Sequence, residues 1–268
     1  MKSIIKIYAL LLIIIVSVNT VFAQDAEVLS QQAANPIANL MSFPFQNNTN
    51  FDIGPFNRTN NILNIQPVIP LAGGKLITRT IVPIVWIPDV TQESGMYSSG
   101  LSDISFTAFY VPKSENLTWG PGVQIDIPTG GEKRGAQKWN IGPSIVVLVQ
   151  PGDWTFGVLA NNVWSFAGNS DREDVNRGLL NLFIVRQLGE GWYVNSVPIL
   201  TVDWKAQSGQ QWTVPMGIGF GKLSFIGGKL PLNIQAGYYY NVVKPDSGPK
   251  SQLRVQAQIL LPTSIFGG

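Results

Sequence analysis

The chain has 268 residues, 18 Lys+Arg against 16 Asp+Glu, and neither His nor Cys. Without His or Cys there is no Ser-His-Asp triad, no Cys-His pair, no thiolate or imidazole metal site and no disulfide framework. A charged fraction of 13% beside a hydrophobic fraction of 45% also excludes a disordered chain, which needs high charge and little apolar surface.

In chain order, the first feature is an address. Lys2 and Lys6 precede the apolar run Ile7 to Val18, and Val21-Phe22-Ala23 puts small residues at −3 and −1 of a cut after Ala23. This is the layout of a secretory signal peptide over residues 1–23, and the apolar run is short for a membrane-spanning helix. A mature chain from Gln24 carries sixteen basic and sixteen acidic residues. Zero net charge without a basic stripe argues against a nucleic-acid partner. Residues 24–39 follow as an N-terminal periplasmic segment, expected to fold as a short helix entering the lumen as a partial plug.

From there to the end the pattern is period two. Trp212, Val214, Met216, Ile218 and Phe220 alternate with Thr213, Pro215, Gly217, Gly219 and Gly221. Leu253, Val255, Ala257 and Ile259 alternate with Arg254, Gln256 and Gln258. Successive side chains on a strand point to opposite faces, so each strand has one apolar and one polar or small face. The pattern predicts twelve strands, at 40–52, 59–71, 75–88, 101–111, 117–128, 138–149, 153–167, 175–188, 192–204, 211–223, 229–243 and 251–262. Short turns (Gly73-Gly74, Lys113 to Asn116, Gln150-Pro151-Gly152, Gly189-Glu190-Gly191) alternate with longer polar loops at 89–100, 129–137, 168–174, 205–210 and 244–250. Short turns at one end and long loops at the other are the asymmetry of outer-membrane barrels.

Tryptophan supplies a second signal. Trp86, Trp139, Trp164, Trp204 and Trp212 fall near the long-loop ends, and Trp119, Trp154 and Trp192 near the short-turn ends. Indole rings favour the headgroup zone, so these eight are expected as two membrane-interface girdles.

A soluble sandwich also alternates; the polar face separates the two readings. Here that face is amide-rich and weakly charged, whereas a soluble surface carries roughly 25–35% charged residues. The fold class predicted is therefore all-β, an antiparallel transmembrane β-barrel of about twelve strands over residues 40–268, in which a closed sheet leaves no backbone group unpaired in lipid. Lumen-lining positions are expected at Arg79, Asp103, Gln124, Asp126, Asn181, Asn195, Asp203, Gln235, Arg254, Gln256 and Gln258. Of these, Asp103, Asp126 and Asp203 fall near the long-loop rim; Arg177 and Arg186 also sit within strands. Opposite charges facing a lumen would pair across it or tune what passes.

Several segments resemble a known family: Asn35-Pro36 through Phe45-Gln46, Leu63 to Pro70, Thr78 to Pro83, Trp164 to Gly168 and Tyr240 to Pro245. They are similar to bacterial outer-membrane proteins grouped with the MetA pathway of phenol degradation. The resemblance implies a transporter-like β-barrel and carries no established functional residues. One departure is the C-terminus, where Phe266 is followed by Gly267-Gly268 instead of ending the chain.

Other motifs have plainer readings. Gly217-Ile218-Gly219-Phe220-Gly221 continues a strand pattern and so lacks the helix start a phosphate loop needs. Ser170 to Asp174 offers oxygens to a hard cation but reads as a solvated loop. The Asn-x-Ser/Thr triplets at Asn47, Asn57 and Asn116 read as chance. The function expected is passive passage of small solutes, apolar or aromatic on the strength of the family name alone. The partners expected are outer-membrane lipid of a Gram-negative bacterium, barrel-insertion machinery and a small-molecule solute, with no nucleic acid, no cofactor and no metal, for a monomer. The rival classes are a non-conducting structural barrel, an exported soluble β-protein and, least favoured without His, an outer-membrane enzyme.

Overall fold

The computed structural model describes residues 26–261; the expected signal peptide and the Phe266 terminus lie outside them. Fifteen strand segments form one sheet, and three of its crossings are each interrupted once, which makes twelve staves. They are β1 (Met41–Ile53), β2 (Arg58–Ile65, continued by Val68–Leu71), β3 (Leu76–Pro88), β4 (Tyr97–Leu101, continued by Ile104–Tyr110), β5 (Thr118–Ile127) and β6 (Lys138–Val149). Then come β7 (Trp154–Gly168), β8 (Asn176–Gly189), β9 (Trp192–Ser196, continued by Ile199–Asp203), β10 (Trp212–Ile226), β11 (Leu230–Val243) and β12 (Ser251–Leu261).

Every neighbour in sequence is an antiparallel neighbour in space. β12 pairs with β1 from Met41 opposite Leu261 to Phe51 opposite Ser251, so the sheet closes. Closure is the condition for a sheet in hydrocarbon, because an open edge would strand unpaired N–H and C=O groups. No helix among the described residues is long and apolar enough to cross a membrane; the strands are the spanning elements.

The interruptions have local causes. Pro67 and Pro198 have no N–H for the ladder and sit in the gaps of β2 and β9. The ladder recovers through their carbonyls, which accept from Thr80 N (3.0 Å) and Leu182 N (3.1 Å). β4 breaks at Ser102-Asp103, where the chain is tied into a loop described below.

The predicted strands and the observed ones agree within a few residues. The largest difference is β4, which starts at Tyr97 instead of 101, inside what the sequence reads as loop. Ser98, Ser99 and Gly100 carry no apolar alternation, and the segment is held as a strand by pairing with Ile84 to Pro88.

The outer wall is apolar. Met216, Ile218, Phe220, Ile234 and Val255 point outward and are exposed. All eight tryptophans are outward as well, between 36% and 47% exposed. At the short-turn end two carry a cation over the ring: Arg186 lies 5.4 Å from the Trp154 centroid and Lys222 Nζ 4.5 Å from that of Trp192. Arg186 is thus on the outer wall, not in the lumen, because it alternates with the inward Val185 and Gln187. A few outward polar groups satisfy one another. Asn47 and Asn61 exchange side-chain hydrogen bonds (2.8 and 3.0 Å), and Asn61 also donates to Thr49 Oγ1 (2.9 Å).

Candidate functional site

The inner wall is built from amides that bond sideways, across strands. Asn195 Nδ2 donates to Gln235 Oε1 at 2.7 Å, and Asn233 Nδ2 to Gln258 Oε1 at 3.2 Å. Asn161 Nδ2 donates to Gln124 Oε1 at 2.9 Å, and Gln252 Nε2 to Asn50 Oδ1 at 2.8 Å. A neutral amide both donates and accepts, so a ring of them can close on itself without a net charge.

Aromatic side chains narrow the ring. Tyr193 is buried and donates its hydroxyl to Asn233 Oδ1 at 2.8 Å. Its ring lies over Gly221, where an added Cβ would be 2.2 Å from the Tyr193 ring. Tyr239 packs likewise over Gly217 and Gly237. The glycine run of β10 is inward because tyrosines occupy the space its side chains would need, and it holds no phosphate cradle.

The short-turn end is filled. Residues 26–33 form a helix that Asn35 and Pro36 terminate: Pro36 cannot continue it, and Asn35 Oδ1 accepts from Ile37 N at 3.0 Å. Ala26, Leu29 and Ala33 make one helix face against Leu223 and Leu260 on the inner wall. Ser30 Oγ donates to Gln187 Oε1 at 2.8 Å, both buried. Gln31 Nε2 donates to the Gly152 carbonyl at 2.6 Å, and its own carbonyl accepts from Gln150 Nε2 at 2.9 Å. The turn aims Ile37, 2% exposed, into an inward apolar cluster of Val68, Ile77, Phe109, Val146, Leu148, Leu159 and Phe183.

Above this segment lies a cavity of about 320 Å³. Ser30, Gln32 to Pro36 and Ala38 contribute to its lining, and so do Arg79, Gln124, Asn181, Asn195, Gln235, Arg254, Gln256 and Gln258. Eight of the eleven expected lumen positions are therefore together around one space. Asp103, Asp126 and Asp203 are not among its lining residues. Asp103 accepts from Gly130 N (2.9 Å) and Ala136 N (2.6 Å), where its carboxylate satisfies the backbone of a rim loop. Asp126 is held by Gln124 Nε2 (2.9 Å) and Asn140 Nδ2 (3.3 Å), one step toward the rim. Asp203 pairs with Arg177 at 3.5 Å at the mouth. Opposite charges thus pair at the rim, and the cavity keeps two cations, Arg79 and Arg254, as its charged lining residues.

The pattern also hid part of the site. Gln46, Asn161, Tyr193 and Phe183 line the cavity and were not singled out in the sequence. One signal was present: Ile145 to Val149 is apolar on both faces, as expected where the inner face packs against protein instead of water.

The long-loop mouth is tied down by side chains. Arg58 donates to the carbonyls of Gln92 (3.0 Å), Glu93 (3.1 Å) and Gly95 (3.0 Å) and lies 5.5 Å from the Tyr97 ring centroid. We expect Arg58→Ala to release the loop at 89–96 and increase its cleavage by trypsin-independent proteases severalfold, with the barrel intact on unboiled gels. Lys138 Nζ meets Asp174 Oδ1 at 3.2 Å. The Lys138 hydrogen bond and charge, with help from Ser165, hold the Asp174 carboxyl below its ordinary range. A depressed carboxyl pKa contributes stability above the unfolded value, and that contribution is lost as pH falls through the folded one. Carbon-13 titration is expected to place Asp174 below an ordinary aspartate and to move it back up in Lys138→Met. Among the described residues no group of three or more His, Cys, Asp or Glu is placed to hold a metal ion.

A closed antiparallel barrel with an apolar, tryptophan-bearing outer wall and a polar interior is an outer-membrane β-barrel. The chain belongs to the family described as putative MetA-pathway of phenol degradation, whose model matches residues 54–263. Among solved structures, an outer-membrane channel from Pseudomonas putida F1 is similar at 17% identity and TM-score 0.57, over 83% of this chain and 94% of that one. The NanC porin is similar at 9% identity and TM-score 0.53, over 82% of this chain and 98% of that one. At these identities the likeness is one of fold. No curated protein matches the sequence significantly.

Proposed function

We propose that the chain is a passive channel for small solutes in the outer membrane of a Gram-negative bacterium, with residues 24–39 acting as a partial plug. The observation that carries this reading is the closed barrel whose amide-lined interior, with Arg79 and Arg254 as its charged lining residues, encloses a cavity floored by the N-terminal segment. Amides exchange hydrogen bonds with a passing solute or its water and hold neither in one charge state. The structurally similar proteins include an outer-membrane channel and a porin, and the family description, with its phenol pathway, favours solutes with an apolar or aromatic body. The barrel acts as a monomer set in lipid, delivered by barrel-insertion machinery, and performs no reaction. Liposome swelling tests the proposal. Solute-dependent swelling with small aromatic alcohols supports it, whereas a folded barrel that passes no solute, with or without residues 24–39, defeats it.

A further inference from the structure

The cavity's two cations are not equivalent. Arg254 donates from all three of its nitrogens: Nε to Asn48 Oδ1 (3.2 Å), one terminal nitrogen to the Val197 carbonyl (2.8 Å) and the other to Gln252 Oε1 (3.0 Å). Its guanidinium also stacks 4.6 Å from the Tyr239 ring centroid. It braces the wall between β12, β1 and β9. Arg79 is different. Nη2 donates to Gln66 Oε1 at 2.5 Å, and the remaining N–H groups of the guanidinium have no acceptor among the described residues. Among the described residues no carboxylate pairs with it. Asp126, two residues along β5 from the Gln124 that shares Arg79's row of the wall, is turned to Gln124 and Asn140.

The rest of the lining is equally suggestive. Asn181, 8% exposed, lines the same cavity, and its Oδ1 has no hydrogen-bond partner among the described residues. Ile81, Phe109, Leu159, Leu179 and Phe183 supply apolar wall. About 320 Å³ is within the range of small-molecule sites, which run from roughly 300 to 1,000 Å³. A planar fork of free donors matches a carboxylate in a bidentate grip.

We infer that the cavity is a binding site for a small monocarboxylate with an apolar body, its carboxylate held by Arg79 and its body against Phe109, Leu159 and Phe183. A hydroxyl on such a solute would meet Asn181 Oδ1. The transport consequence, a preference for organic anions over neutral solutes of equal size, rests on the channel reading; occupancy of the site does not.

The test therefore measures binding and permeation separately. Benzoate and its uncharged counterpart benzamide are titrated into the purified full-length mature barrel in detergent, by calorimetry. Benzoate is expected to bind at least about tenfold more tightly than benzamide, since hydrogen bonds to charged groups are worth more than neutral ones. Arg79→Gln is expected to weaken benzoate about tenfold or more and leave benzamide unchanged. Arg79→Lys, which keeps the charge but not the fork, is expected to fall between. Equal binding of benzoate and benzamide, or benzoate binding indifferent to Arg79→Gln in a heat-modifiable, folded variant, overturns the site. Arg79-dependent benzoate binding without swelling would leave the site standing and remove the channel. Swelling with Arg79-independent benzoate binding would do the reverse.

Discussion

Deleting residues 24–39 is expected to raise single-channel conductance severalfold. The helix at 26–33 and Ile37 occupy the inner space at the short-turn end, and the inward side chains around them are large and apolar. A twelve-strand barrel lies between the eight-strand barrels that side chains fill and the sixteen-strand ones that leave an aqueous channel. Its conductance therefore depends on what else is inside. A gentler version of the same experiment is Ile37→Asp, which puts a carboxylate among Phe109, Leu148 and Phe183 and unseats the turn, since an unpaired buried charge is not tolerated. Both variants are expected to show larger and noisier currents in planar bilayers than the parent. Equal conductance in all three would mean that the current path bypasses the segment, and the plug reading would fall. The strands themselves hold without the segment, because closure between β1 and β12 does not involve it.

Phe220→Arg is the second large effect. Phe220 is outward, 59% exposed, and pairs with Ala236 in the middle of β10 and β11. A positive charge at the lipid midplane costs about 2–4 kcal/mol in a barrel. Gln235→Lys places a charge on the neighbouring strand, opposite Gly221 but on the inner wall. It loses the Asn195 hydrogen bond, worth about 1 kcal/mol, and otherwise meets a polar interior. The expected result is a denaturant midpoint in lipid vesicles that drops strongly for Phe220→Arg and slightly for Gln235→Lys. Equal losses would show that the two faces do not differ as lipid and lumen.

These two variants differ in how far the sequence anticipates them. Phe220 is outward because the alternation from Trp212 to Gly221 can be satisfied in only one way once one face meets lipid, and a one-residue slip would reverse every side chain. The same logic places Gln235, Gln256 and Gln258 inside. Nothing comparable announces Ile37. It is an isolated apolar residue after Asn35-Pro36, and its burial depends on strands more than thirty residues away. Gln187 is similar: its position is inward by alternation, yet its partner Ser30 lies 157 residues earlier in the chain.

Charge shows the limit most clearly. The sequence places Asp103, Asp126 and Asp203 on polar faces near the long-loop rim and Arg79 and Arg254 within strands, and leaves open whether they pair. In the folded barrel Asp103 meets backbone N–H groups at that rim and Asp203 meets Arg177, while Arg79 stays inside with no acid beside it among the described residues. Alternation fixes which face a side chain takes, since that depends only on the pleat. Height along the barrel and the neighbour across the lumen depend on register, strand tilt and the interruptions at Pro67, Ser102-Asp103 and Pro198. Strand number, the oily exterior and the amide interior were thus legible before any fold was known, because each follows from local period and composition. The folded barrel settles which wall residues the N-terminal segment meets, Ser30 against Gln187 and Ile37 among Phe109, Leu148 and Phe183, and that Arg79 faces the cavity with donors that have no acceptor among the described residues, because these result from contacts between residues far apart in the chain.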